Sequence, residues 1–128
     1  MLKEMLRDNK YFLAMEKESG KGSVYSAGAL KAFWSWKNSV HFGNNELEVS
    51  DFIWDKNVTE FVNTLREAGI KSFVVTNQST ALMQNLHAFV ENGCELVELC
   101  VFKRGHGYFK DDPAEELYGI RFKVGEVD

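Results

Sequence analysis

Apolar residues return every three or four positions through the first forty residues, and after that in short alternating runs separated by further helical periods. Leu2, Met5, Leu6, Phe12, Leu13 and Met15 stand among charges over residues 1–18, a spacing that predicts an amphipathic helix with one sheltered face, loosened at Asn9. Ser19-Gly20-Lys21-Gly22-Ser23 interrupts the pattern, and Ser23 is placed to cap a second helix over about residues 24–42. Leu30, Phe33, Trp34, Lys37 and Val40 give that helix its stripe, and Gly43-Asn44-Asn45 ends it, because glycine takes the left-handed conformation without a Cβ clash.

From Glu46 onward the period changes. Leu47 and Val49 alternate with Glu46, Glu48 and Ser50 as a short strand. Asp55 is the expected N-cap of a helix carrying Val58, Phe61, Val62, Leu65 and Ala68, closed by Gly69. Phe73-Val74-Val75 is a continuous apolar run too short for a helix, the signature of a strand buried on both faces. Asn77, Ser79 and Thr80 are candidate caps for a helix through Leu82, Met83, Leu86, Phe89 and Val90, which Gly93 closes. Residues 94–103 form a third strand. A polar stretch with the sole proline, Pro113, leads to a last strand in which Tyr118, Ile120, Phe122 and Val124 alternate with Gly119, Arg121 and Lys123.

These elements predict an α/β fold in one domain spanning residues 1–128, with N-terminal helices (1–45) packed on an α/β core (46–128). The core is expected to be three-layer-like: a right-handed parallel βαβαβ unit, with the C-terminal strand added at an edge, antiparallel to the third strand.

The formal charge of −4 and the interleaving of Lys3, Arg7, Lys10, Lys17 and Lys21 with Glu4, Asp8, Glu16 and Glu18 argue against a nucleic-acid binder, which concentrates Lys and Arg. No apolar run approaches the ~20 residues needed to cross a bilayer. Cys94 and Cys100 fall in one strand, roughly 20 Å apart at ~3.3 Å per residue, beyond the ~4.4–6.8 Å of a disulfide. Free thiols, with no signal-peptide pattern at the start of the chain, point to the reducing cytosol.

Ligands of open parallel sheets sit beyond the carboxyl ends of the strands. Here that rim would gather Ser50, Asp51 and Trp54 after the first strand, Asn77, Gln78, Ser79 and Thr80 after the second, and Arg104 and His106 after the third. Arg104 and a helix N-terminus would attract an anionic or nucleotide-like small molecule. Thr76-Asn77-Gln78-Ser79-Thr80 is the most polar strand-to-helix turn and a candidate anion holder; the competing reading is that Asn77 or Ser79 simply caps the next helix, and the segment lacks the glycines of a dinucleotide site. Gly20-Lys21-Gly22-Ser23 falls short of a phosphate loop and follows a helix where a strand is required.

His41, His87 and His106 have no metal-ligand spacing, so no metal and no cofactor is implied. His87 reads as a partly buried helix residue. Cys100 with a histidine and Asp51 would form a nucleophilic set in principle, although a mid-strand cysteine usually belongs to the core, and Cys94, directly after Gly93, is the more exposed thiol by position. No catalytic residues are assigned. Trp34 and Trp36 are two apart on a helix and point about 200° from each other, so both cannot face one core. Whichever lies outside marks a partner surface.

Residues 53–55 and 61–69, then Thr76-Asn77-Gln78-Ser79-Thr80-Ala81-Leu82-Met83 and Gly119-Ile120-Arg121-Phe122, resemble a group of small uncharacterised proteins from Firmicutes and their mobile elements. The resemblance implies a bacterial cytosolic origin and transfers no activity. The residues themselves favour a non-enzymatic binding or regulatory module. It would self-associate or dock on a partner protein through the aromatic N-terminal helices and an exposed sheet edge. The alternative is the small-molecule site at the rim.

Overall fold

A computed structural model describes residues 2–19, 24–50 and 54–125. The N-terminal helical stretch is two helices, α1 (Leu2–Arg7) and α2 (Lys10–Ser19), because Asn9 caps the second. Its side-chain oxygen accepts the Phe12 N–H at 3.0 Å while its amide donates to the Ala68 carbonyl at 2.9 Å. The Gly20–Ser23 segment lies outside the described residues, and the cap of α3 (Ala27–His41) is Ser26, whose hydroxyl accepts the Ala29 N–H.

β1 (Leu47–Val49), α4 (Val58–Glu67), β2 (Ser72–Val75), α5 (Leu82–Glu91), β3 (Cys94–Lys103) and β4 (Glu116–Val124) follow in the expected order. Two expected caps are corrected. Asp55 opens a 3-10 turn (Asp55–Asn57) ahead of α4, and α5 is preceded by Ala81 with no side-chain cap. The glycines placed at helix ends by sequence, Gly43, Gly69 and Gly93, have φ of 66°, 76° and 89°, the backbone conformation that glycine tolerates best.

The strand order is β1-β2-β4-β3. β1 and β2 are parallel, while β4 runs antiparallel to both of its neighbours. This corrects the expected topology: the C-terminal strand occupies the middle of a mixed sheet, and β3 is the edge. β1, β2 and β3 still point the same way, so their carboxyl ends share one border.

The layering differs as well. Register places Leu47, Val49, Phe73, Val75, Ile120, Phe122 and Val124 on one face, and these pack in a single cluster with residues of all five helices. The three-layer expectation is therefore replaced by two layers, helices on one face of the sheet and polar or charged side chains on most of the other. Val74 points to that second face and is buried all the same, against Gly119, where a Cβ would meet Val74 Cγ1 at 2.6 Å.

α3 and α4 approach closely at Gly28, where a Cβ would lie 2.3 Å from the Asn57 carbonyl oxygen and 2.8 Å from the Phe61 nitrogen. Alanine is the better helix former by about 1 kcal/mol, yet here it meets backbone that cannot rotate away. Gly28→Ala is expected to destabilise by about 1–3 kcal/mol, measured by urea unfolding. A stabilised variant would show that the two helices are not in contact at this point.

Candidate functional site

Glu48 alternates with Leu47 and Val49 and so faces away from the helices, but it is only 4% exposed. A carboxylate held out of water needs donors on every side, and it has them. Arg104, just past the end of β3, makes a two-pronged pair with it, Nε to Oε1 at 2.9 Å and Nη2 to Oε2 at 2.8 Å. The Thr76 hydroxyl donates at 2.5 Å and the Asn44 amide at 3.3 Å. Arg104 also reaches Glu115 at 3.0 Å and lies 4.7 Å over the Phe42 ring. Its guanidinium is held above its ordinary pKa first by the hydrogen bonds to Glu48, with burial opposing. The charge is thus shared between two carboxylates, which leaves it less able to attract an anion.

The other rim residues divide into separate groups. Thr76 and Arg104 meet through Glu48. Asn77 is buried and its side-chain oxygen accepts the Ser79 N–H at 2.9 Å, an Asx turn that orders the segment before α5. Gln78 and Thr80 are exposed. Ser79 Oγ is buried without a hydrogen-bond partner, as is Asn85 Oδ1. His106 packs at the end of α3, its N–H donating to the Phe42 carbonyl at 2.9 Å and its ring 3.2 Å from where a Gly43 Cβ would be. Asp51 lies outside the described residues. Sequence reasoning missed Glu48, Asn44 and Glu115, because an alternating Glu in a strand reads as solvent-facing.

Trp36 is 3% exposed, stacked on Phe12 at 5.4 Å, and its indole N–H donates to the Leu6 carbonyl at 2.7 Å. It belongs to the core and leaves the partner surface to Trp34, 53% exposed. Trp34 lines a groove of about 590 Å³ with Leu13, Lys37, His41 and Tyr108. His87, expected to be partly buried, is exposed in a second groove beside Asp55 and Lys56.

The two thiols reverse their expected order. Cys94 is buried and Cys100 half-buried, both free. Burial pushes the Cys94 thiol up to about 11 and raises Cys100 too. A raised thiol stays protonated at neutral pH, the opposite of what an activated nucleophile requires. Among the described residues no group of three or more His, Cys, Asp or Glu is arranged to hold a metal ion, and no helix is long and apolar enough to cross a membrane.

The largest unassigned feature is the β3 edge. Arg104 N–H bonds to the Glu115 carbonyl and Val124 N–H to the Lys71 carbonyl, which fixes the parity of both strands. It follows that Glu98, Cys100 and Phe102 pair with β4, while the backbone groups of Leu99, Val101 and Lys103 point outward. No other element hydrogen-bonds to that outward row among the described residues. The side chains beside it are apolar and open: Leu99 is 77% exposed, Val101 60% and, next to it on β4, Tyr118 82%. The opposite edge is closed, because Ser39 of α3 accepts the Glu48 N–H at 2.9 Å.

A family model described as a domain of unknown function, DUF7698, matches residues 31–124, nearly three-quarters of the chain, from early α3 to the end of β4. Neither a curated protein nor a solved structure matches. The chain belongs to the DUF7698 family of unknown function.

Proposed function

We propose that this protein is a non-enzymatic binding module that acts through protein–protein contacts, with the outer edge of β3 as its docking surface. The observation that carries this reading is the outward row at Leu99, Val101 and Lys103, unpaired backbone flanked by exposed apolar side chains. Strand edges of this kind are normally shortened, charged or covered, since they add strands from other chains. Trp34 and its groove form a second, smaller apolar surface for the same role. The two raised thiols and the neutralised Arg104 support binding over chemistry. The resemblance to Firmicutes proteins suggests a bacterial cytosol as the setting.

Peptides selected on the protein from a random display library test the reading. Binders are expected to alternate apolar and polar residues, to perturb the Leu99, Val101 and Lys103 amide signals, and to be lost in Val101→Lys. Binders that perturb only residues 77–80 would refute it.

The second reading, an anionic or nucleotide-like ligand at the rim of Asp51, Asn77, Gln78, Ser79, Thr80, Arg104 and His106, is favoured by one observation. Ser79 Oγ, within this turn, and Asn85 Oδ1, in the first turn of α5, are buried and unpartnered, and buried polar atoms without partners call for donors. A thermal-shift screen of nucleotides and metabolites decides it, because a ligand at 100 times its Kd adds roughly 2.7 kcal/mol.

A further inference from the structure

The family model covers residues 31–124 and leaves α1 and α2 outside it. Three apolar side chains seat these two helices on the family domain, Leu6, Phe12 and Met15, each at most 7% exposed, while Met5 and Leu13 beside them stand open. α4, by contrast, buries Val58, Phe61, Val62 and Leu65 completely. No backbone hydrogen bond joins α1 or α2 to another element among the described residues. Two cavities interrupt the seam: one of about 590 Å³ is lined by Leu13 and Glu16 together with Trp34 and Tyr108, and one of about 430 Å³ by Met5 and Asn9 together with Leu47 and Ile70.

Beneath the two helices lies a trough of defined chemistry. Trp36 stacks on Phe12 at 5.4 Å, and its indole N–H donates to the Leu6 carbonyl at 2.7 Å. The Ala68 carbonyl, at the C-terminal end of α4, accepts the Asn9 amide at 2.9 Å. Outside these, Tyr11 donates to Glu67 at 2.7 Å and Lys37 pairs with Glu16. The trough thus takes one aromatic ring, offers one buried donor and one carbonyl acceptor, and carries one charge of each sign at its margin.

We propose that α1 and α2 form a strap docked in cis, which opens as a unit without unfolding the family domain, and that the trough beneath it takes an amphipathic helix of a partner protein built on the strap's own pattern. This goes beyond the β3 reading and concerns a different surface. Opening of this kind is expected where few buried side chains hold a segment whose ordering costs conformational entropy. The strap itself states what the trough accepts. The occupant needs an aromatic residue to stack on Trp36 and an apolar residue three positions further along the helix, as Phe12 and Met15 are. Ahead of these it needs a helix end whose free carbonyl accepts the Trp36 N–H, and a side-chain amide for the Ala68 carbonyl. A strap in cis is present at high effective concentration. A partner helix therefore gains the trough only when the strap opens, and the contact is autoinhibitory.

Native-state hydrogen exchange on the intact chain tests the opening. The α2 amides are expected to be protected at least about tenfold less than those of α4 and β2, because they exchange through release of the strap alone. Phe12→Asp is expected to hold the strap open. Tryptophan emission then moves to longer wavelength as Trp36 meets water, Trp34 and Trp54 being exposed already, while α4 and β2 keep their protection. A synthetic peptide of residues 2–19 added to that variant is expected to bind saturably and to reverse the shift, and the same peptide carrying Phe12→Asp is expected to leave it in place. Exchange of α2 only together with α4, loss of α4 and β2 protection in the Phe12→Asp chain, or a wild-type peptide that leaves the emission unchanged overturns the proposal.

Discussion

Arg104→Ala is expected to cost about 3–5 kcal/mol of folding free energy and to lower Tm by on the order of 10 °C or more. The reason is asymmetric. Glu48 sits within a strand and cannot swing to water when its partner goes, so the variant keeps a carboxylate in a buried site with only the Thr76 hydroxyl and the Asn44 amide to hold it. Arg104 also joins the end of β3 to β1 and to Glu115, and so fixes the start of the β3–β4 connection. Replacing both members of the pair, Glu48→Met with Arg104→Met, is expected to recover most of the loss, because the penalty comes from the orphaned charge more than from the missing contact. Urea unfolding of the single and double variants decides this. A single variant within about 1 kcal/mol of wild type would mean that the pair is solvated, contrary to the geometry.

The second large effect is expected at Phe73. Its ring is fully buried and lies 5.1 Å from Phe89, 5.5 Å from Phe122 and 6.1 Å from Phe61, between centroids. It therefore joins β2 to β4, α5 and α4 in one aromatic cluster. Phe73→Ala removes a large apolar side chain and leaves a cavity walled by aromatic rings of three other elements, so collapse is hard. The expected cost is about 3–5 kcal/mol, and Phe73→Leu is expected to lose much less because it keeps most of the volume. Equal losses in the two variants would show that the ring stacking, and not cavity formation, dominates.

Much of the fold could be read from the residues because local chemistry decides it. The bounds of β3, the helix ends at Gly43, Gly69 and Gly93, and the opposed directions of Trp34 and Trp36 all follow from period and conformational preference. Strand order did not, and β4 shows why. Ile120, Phe122 and Val124 alternate with Gly119, Arg121 and Lys123, which reads as a one-sided edge strand. In a two-layer sheet, however, an interior strand alternates too, since one face carries no helix. The same ambiguity hid the polar network: Glu48 has the spacing of a solvent-facing residue, and only the arrival of Arg104 from a distant part of the chain makes it a buried one. Of the described rim residues, Thr76 and Arg104 are brought together, and they are held by Glu48, a residue that sequence reasoning had set aside. The exposed edge was anticipated in kind and misplaced in identity, passing from the last strand to β3.

Amide hydrogen exchange along β3, followed residue by residue with and without a strand peptide selected on the protein, tests the central claim most directly. Glu98, Cys100 and Phe102 are expected to be protected with and without peptide, since their N–H groups bond to β4, while Leu99, Val101 and Lys103 exchange fast in the free protein and slow markedly when the peptide is bound. Fast exchange of the outward three in the presence of the peptide, or protection of all six in its absence, would contradict an open edge that works by adding a strand.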